Sequence, residues 1–173
     1  MADHFDRLGL PRRFSLDLEQ IEREYLARSR VVHPDYHSGA TDAVFSASLD
    51  SSAKLNEAYI ALRDPIRRGE YLLGLLGGPK PAEEKNLNQA FLMEMMEIRE
   101  QIEELRISRG SISPIEIELQ QRLGSVIDQL ESKFARLELN PQSGYSRAEL
   151  SEIRQILNAA RTIQSLQREL DWD

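Results

Sequence analysis

Apolar residues in this 173-residue chain recur at helical spacing almost from end to end, and the period-2 alternation that makes strands is nearly absent. A short helix is expected over Asp3 to Leu8, stopped at Gly9-Leu10-Pro11. The next covers Asp17 to Val32, with Ser15 or Asp17 as its cap and Leu18, Ile21 and Tyr25 on one face. A third covers Thr41 to Arg63, where Leu55, Tyr59 and Leu62 are spaced i, i+4, i+7. Pro65 suits the first turn of a fourth, which runs through Arg67, Glu70, Tyr71 and Leu72 to about Leu76. Gly77-Gly78-Pro79-Lys80-Pro81 is the clearest break in the pattern, and a domain boundary is expected there.

Three long helices follow. One runs from about Leu87 to Arg109 and ends at Gly110. Ser113-Pro114-Ile115-Glu116 reads as a capping box with proline at N1. The helix it opens carries Leu119, Leu123, Ile127, Leu130, Phe134 and Leu137, and Asn140-Pro141-Gln142-Ser143-Gly144 stops it. Ser146-Arg147-Ala148-Glu149 is a second capping box, opening a helix with Leu150, Ile153, Leu157 and Ala160. Short connections and one apolar face per helix predict an up-down-up bundle. The chain is thus all-α, with an N-terminal helical domain over 1–76, a linker over 77–86 and a three-helix bundle over 87–173.

The first bundle helix has more apolar surface than a core seam needs. Phe91, Met95, Ile98, Ile102 and Leu105 fall at i, i+4, i+7, i+11, i+14 and make one stripe. Leu92 and Met96 lie about 100° round the helix from it, and Met93, Glu97, Glu100 and Glu104 make a third row about 100° further on. One reading is a wide core face with glutamates solvating the outside. The other is a partner surface, an apolar patch of Leu and Met rimmed by carboxylates.

Composition narrows the function classes. A hydrophobic fraction of 40% and a charged fraction of 29% belong to a globular chain rather than a disordered one. The net charge of −7 argues against general nucleic-acid binding and against docking on anionic membranes. The absence of cysteine excludes disulfides and thiolate metal sites. The N-terminus lacks the continuous apolar run of a secretory signal, and no stretch reaches membrane-spanning length, so the cytoplasm is the expected location.

The candidate chemistry centres on His33-Pro34-Asp35, between the second and third helices. Proline disfavours helix at the residue before it, so the second helix should end near His33 and leave an imidazole and a carboxylate on a short polar turn. A metal site built on His33, Asp35 and His37 would want the two histidines on one helix, and Pro34 sits between them. No Ser or Cys nucleophile stands in a recognisable setting for catalysis, and neither phosphate-binding glycine motif is present. Neither a metal, a cofactor nor an enzymatic activity is therefore expected. Arg23 and Arg30, seven apart, share a helix face leading towards His33, while Arg28 points elsewhere. Beside Asp35 they suggest a charge-complementary dock for an acidic partner.

These residues resemble a known family. The helix, His33-Pro34-Asp35, the loop, Leu55-Asn56-Glu57-Ala58-Tyr59, and Leu62-Arg63-Asp64-Pro65 with Arg68 and Tyr71 resemble the J-domain of DnaJ-type co-chaperones. Phe5-Asp6-Arg7-Leu8-Gly9-Leu10-Pro11, Arg68-Gly69-Glu70-Tyr71-Leu72-Leu73 and Ala90-Phe91-Leu92-Met93-Glu94 narrow the resemblance to HscB-type J-proteins of iron–sulfur cluster assembly. Tyr36 departs from the Lys or Arg usual after His-Pro-Asp.

The resemblance implies a J-domain that docks on an HscA- or DnaK-type chaperone through His33, Pro34 and Asp35, with Arg23 and Arg30 beside them, and stimulates its ATPase. It implies a bundle that holds an IscU-type scaffold protein through Leu92, Met93, Met96, Glu97, Glu100 and Glu104, with a further contact near Gln155 or Ile156. A J-protein with a different client, its bundle serving oligomerisation, is the alternative.

Overall fold

The structure is a computed structural model that describes residues 2–32, 42–138 and 144–170. Among these residues lie seven α-helices and no strand: α1 (His4–Leu8), α2 (Leu18–Val32), α3 (Asp42–Arg63), α4 (Pro65–Leu75), α5 (Gln89–Ser108), α6 (Ser113–Glu138) and α7 (Arg147–Glu169). They divide into two compact units, Met1–Leu72 and Leu73–Asp173.

Local chemistry sets the helix ends of the first unit. Asp3 opens α1 with a capping box: its carboxylate accepts from the Asp6 N–H at 2.8 Å, and the Asp6 carboxylate accepts from the Asp3 N–H at 3.2 Å. Gly9 closes α1 at φ 61°, a left-handed conformation that favours glycine, and the Arg28 guanidinium lies over the space where a Cβ would stand. Asp17 takes the cap of α2, accepting from the Glu19 N–H at 3.1 Å. Asp64 caps α4 by accepting from Ile66 and Arg67 at 2.8 and 2.9 Å, with Pro65 in the first turn as its fixed φ favours.

α2 and α3 form a hairpin, with α1 packed on both. Phe5, Leu8, Phe14, Ile21, Leu55, Ala58 and Leu62 are buried at its centre. Tyr25 is half-buried, stacks on Tyr59 at 4.2 Å and donates to Asn56 Oδ1 at 2.6 Å. Leu18 was expected on the same inner face but is half exposed, so that face is narrower than its spacing suggests. Buried Arg68 donates to the Leu62 carbonyl at 2.9 Å, with its guanidinium 5.3 Å from the Phe14 ring centre. At the other end of the hairpin, Ser48 and Ser52 of α3 both donate to the Val32 carbonyl, at 2.6 and 3.0 Å, and tie down the last turn of α2.

In the second unit the ion pairs give the topology. Arg99 of α5 forms a two-point bond with Glu169 near the end of α7, at 3.0 and 2.7 Å. At the other end Phe91 and Gln155 line one groove, so α5 and α7 run the same way. Glu94 pairs with Arg122 of α6 at 2.7 Å, and Lys133 of α6 pairs with Glu152 of α7. α6 therefore runs opposite to both, the expected up-down-up bundle. Met95, Ile98, Ile102, Ile115, Leu119, Ile163, Leu166 and Leu170 form one buried cluster. Leu130, Phe134, Leu150, Ile153 and Leu157 are buried along α6 and α7.

Two local expectations are corrected. The Ser113 capping box does not form: α6 begins at Ser113 itself, and the Glu116 N–H donates to the Ile112 carbonyl at 3.0 Å. Ile112 packs against the apolar cluster, which fixes the chain's entry one residue early. α5 turns out of the helix at Arg109 (φ 53°) rather than at Gly110, which costs about 1 kcal/mol in a non-glycine residue. At Gly110 a Cβ would stand 2.6 Å from Leu105 Cδ2, so the leucine would have to shift to admit one.

The stretch over 79–84, between α4 and α5, is bound to α7. Buried Arg154 donates through Nε to the Pro79 carbonyl at 2.9 Å. Asn158 donates to the Glu84 carbonyl at 2.9 Å, and Ser151 and Gln155 donate to the Glu84 carboxylate at 2.8 and 3.3 Å. Glycine and proline break the helix, but the freed carbonyls still need donors, and α7 supplies them.

The Ser146 box forms as expected, with Glu149 N–H to Ser146 Oγ at 3.2 Å and Ser146 N–H to the Glu149 carboxylate at 3.0 Å. The Ser146 hydroxyl and N–H hold the Glu149 carboxyl below its usual pKa. The bonded carboxylate therefore favours the folded state above its unfolded pKa, and this contribution fades as pH falls through the lowered folded value. Ser146→Ala is expected to destabilise the protein by roughly 1 kcal/mol near neutral pH, read by thermal melting. The difference from wild type should shrink as Glu149 protonates.

Candidate functional site

Of the binding residues singled out in the sequence, those that the structure describes fall on two exposed helix faces, one in each unit. His33, Pro34 and Asp35 lie outside the described residues, as do Tyr36 and His37. Arg23 and Arg30 are exposed on the outer face of α2, where they line a shallow groove with Glu19, Glu22, Leu26 and Ala27. Neither arginine forms an ion pair with a described residue. Arg28 turns the other way, paired with Glu24 and lying over Gly9. Leu26 is the residue of this groove that sequence reasoning missed. It is 49% exposed, three residues after Arg23 and four before Arg30. The available signal was a leucine at helical spacing from charges on both sides.

The second face is on α5, where Asn88 fixes the start by accepting from the Ala90 N–H at 2.8 Å. The helix separates the three rows that the sequence left ambiguous. Met95, Ile98 and Ile102 are buried and Phe91 and Leu105 half-buried, so that stripe is core. Leu92, Met93 and Met96 are 42%, 57% and 62% exposed, a continuous apolar surface facing water.

Glu97, Glu100 and Glu104 are exposed beside it. Other acidic residues of α5 are paired, Glu94 with Arg122 and Glu103 with Arg106. Among the described residues no cation pairs with Glu97, Glu100 or Glu104. Like charges three and four apart on a helix repel by a few tenths of a kcal/mol per pair. A cationic surface set against the row would relieve that repulsion.

Gln155 and Ile156 of α7 border the start of this face. With Leu87, Asn88, Phe91 and Val126 they line a groove of about 430 Å³. Its floor is apolar, and Lys133 and Glu152 stand at its edge as an ion pair. The α5 face presents thioethers, an alkyl chain and exposed carboxylates. Among the described residues no cluster of His, Asp or Glu could hold a metal ion, and no helix is long and apolar enough to cross a membrane.

Comparison with known proteins adds to this geometry. Residues 87–171 match the family described as the HSCB C-terminal oligomerisation domain. Over 155 residues the chain is 35% identical to a co-chaperone protein HscB homolog of Burkholderia multivorans, covering 89% of this chain and 86% of that protein. It is similar to the solved structure of chaperone HscB from Vibrio cholerae, with 26% identity and a TM-score of 0.81, covering 98% of this chain and 95% of that one. It is also similar to the crystal structure of human co-chaperone protein HscB, with 25% identity and a TM-score of 0.79, covering 97% and 80%. Sequence and fold agree along almost the whole length, and this all-α chain, an N-terminal J-domain followed by a three-helix bundle, belongs to the HscB co-chaperone family.

Proposed function

We propose that this protein is a two-ended adaptor of iron–sulfur cluster assembly in the cytoplasm, joining an HscA- or DnaK-type chaperone to an IscU-type scaffold. The division of labour follows the sequence, with the J-domain over 1–76 and the scaffold-binding bundle over 87–173. His33, Pro34 and Asp35, with Arg23 and Arg30 beside them, dock on the chaperone. Asp35 pairs with an arginine of the ATPase domain, and His33 and Pro34 shape the turn. The chain performs no chemistry of its own. It stimulates ATP hydrolysis by binding the hydrolysis-competent state of the chaperone more tightly than the resting one. Lacking cysteine, it offers no thiolate to a cluster, which stays on the scaffold.

The observation that carries the scaffold half is the exposed Leu92, Met93 and Met96 stripe, rimmed by Glu97, Glu100 and Glu104, on a helix whose core is satisfied elsewhere. Adaptable apolar side chains at the centre hold a partner, and unpaired carboxylates at the rim steer it. Leu92→Ala, Met93→Ala and Met96→Ala are each expected to weaken scaffold binding by roughly 1–2 kcal/mol while changing stability little, as exposed positions do. Calorimetric titration of each variant with an IscU-type scaffold, beside its thermal melt, is the test. Normal binding by all three would remove the stripe from the interface.

The matched family's description as an oligomerisation domain favours a second reading, in which the bundle assembles copies of the chain. Sedimentation of the wild-type protein and of Met96→Ala separates the two. Scaffold binding leaves the free protein's mass unchanged by the substitution, whereas a self-assembly face would lose its oligomer.

A further inference from the structure

We infer that Leu26 is the apolar anchor of the chaperone-docking face, and that the partner surface it meets is an apolar patch flanked by charges of both signs. This rests on the reading of α2 as that face and deepens it. The inner side of α2 is taken up by buried Ile21 and by Tyr25, which stacks on Tyr59 and bonds Asn56. Leu26 points away from that packing and remains 49% exposed.

Its surroundings on the helix surface are Glu19 and Glu22 towards the N-terminal end, Arg23 beside it, Ala27 and then Arg30. Two carboxylates and two guanidinium groups in one groove sum to no net charge. A uniformly acidic partner would be drawn to the arginines and repelled by the glutamates one turn away. Charge alone therefore sets orientation here and contributes little affinity. The group left to supply affinity is the leucine at the centre, beside a small alanine that leaves room for an incoming side chain. The complementary surface carries an apolar side chain over Leu26 and Ala27, a carboxylate towards Arg23 and Arg30, and a cation towards Glu19 and Glu22. Arg30 stands three residues before His33, so this face is next in sequence to the His-Pro-Asp segment.

The test measures ATP hydrolysis by a purified DnaK-type chaperone as the concentration of full-length protein rises. The variants are wild type, Leu26→Ala, Leu26→Met and Asp35→Asn, each in about 50 mM and about 300 mM salt, conditions that change charge screening severalfold. Leu26→Ala is expected to raise the half-maximal concentration about tenfold at both salt concentrations, with the same maximal stimulation and the same melting temperature. Leu26→Met should restore most of the loss, because an unbranched apolar side chain can fill the same place. Asp35→Asn should give no stimulation.

A Leu26→Ala protein that matches wild type while Asp35→Asn is inactive overturns the inference and leaves the docking reading standing. A Leu26→Ala loss that disappears at high salt would make the contact electrostatic and overturn it as well. If Asp35→Asn stimulates normally, the docking reading itself falls, and the inference falls with it. A change in self-association on sedimentation, without a change in stimulation, would give Leu26 a second copy of this chain as partner instead.

Discussion

His33→Gln or Asp35→Asn is expected to abolish stimulation of the partner chaperone's ATPase while the protein keeps its helicity and its melting temperature. The expectation comes from the sequence. Pro34 lacks a backbone donor and disfavours helix at the residue before it, and the sequence from Tyr36 to Ala40 has no apolar pattern that predicts burial of these side chains. Substitutions at such positions usually change stability by no more than about 0.5 kcal/mol. The functional effect should be large because a charged side chain that pairs with a partner's cation leaves that cation uncompensated when it is neutralised. Single-turnover ATPase measurements, with circular dichroism of the same samples, decide the matter. Wild-type stimulation by a folded His33→Gln protein would remove the J-domain mechanism.

The second large effect is on stability. Ile102→Ala and Ile98→Ala should each destabilise the bundle by roughly 2–5 kcal/mol. Ile102 has no exposed surface and Ile98 is 3% exposed, and both sit in the cluster with Leu119, Ile163 and Leu166 from the other two helices. Removing methyl and methylene groups there leaves a cavity that three rigid helices cannot collapse to fill. Denaturant unfolding of these variants beside Met93→Ala, which is 57% exposed in wild type, tests the assignment of faces. Equal losses for Ile102 and Met93 would put Met93 in the core and overturn the assignment of faces.

Where the sequence carried a signal with one physical meaning, the fold was legible. The Ser146-Glu149 box, Asp64-Pro65 before α4 and Gly9 after α1 each specify one backbone state. Where two meanings competed, it was not. Ser113-Pro114-Ile115-Glu116 has the form of a box, but burial of Ile112 decided the start of α6. The three rows of α5 could be ordered by angle but not assigned to core or water, since one helix does not contain its neighbours. Packing of α6 and α7 onto the Ile98–Ile102 row made that choice. Leu26 escaped notice because a lone exposed leucine is common, and only its arrangement in a charge-balanced groove gives it meaning.

The bonds between the stretch 79–84 and α7 bear on where the second unit can be severed from the chain. The matched family region begins at Leu87, after all of those bonds. A fragment cut there leaves Pro79 and Glu84 behind. Ser151, Gln155 and Asn158 lie near the surface, and water can stand in for the lost acceptor. Arg154 is 2% exposed and loses the carbonyl that its Nε now meets, a buried hydrogen bond from a charged group. A fragment that starts ahead of Pro79, at the turn of Gly77, keeps these bonds and is expected to melt higher than one that starts at Leu87.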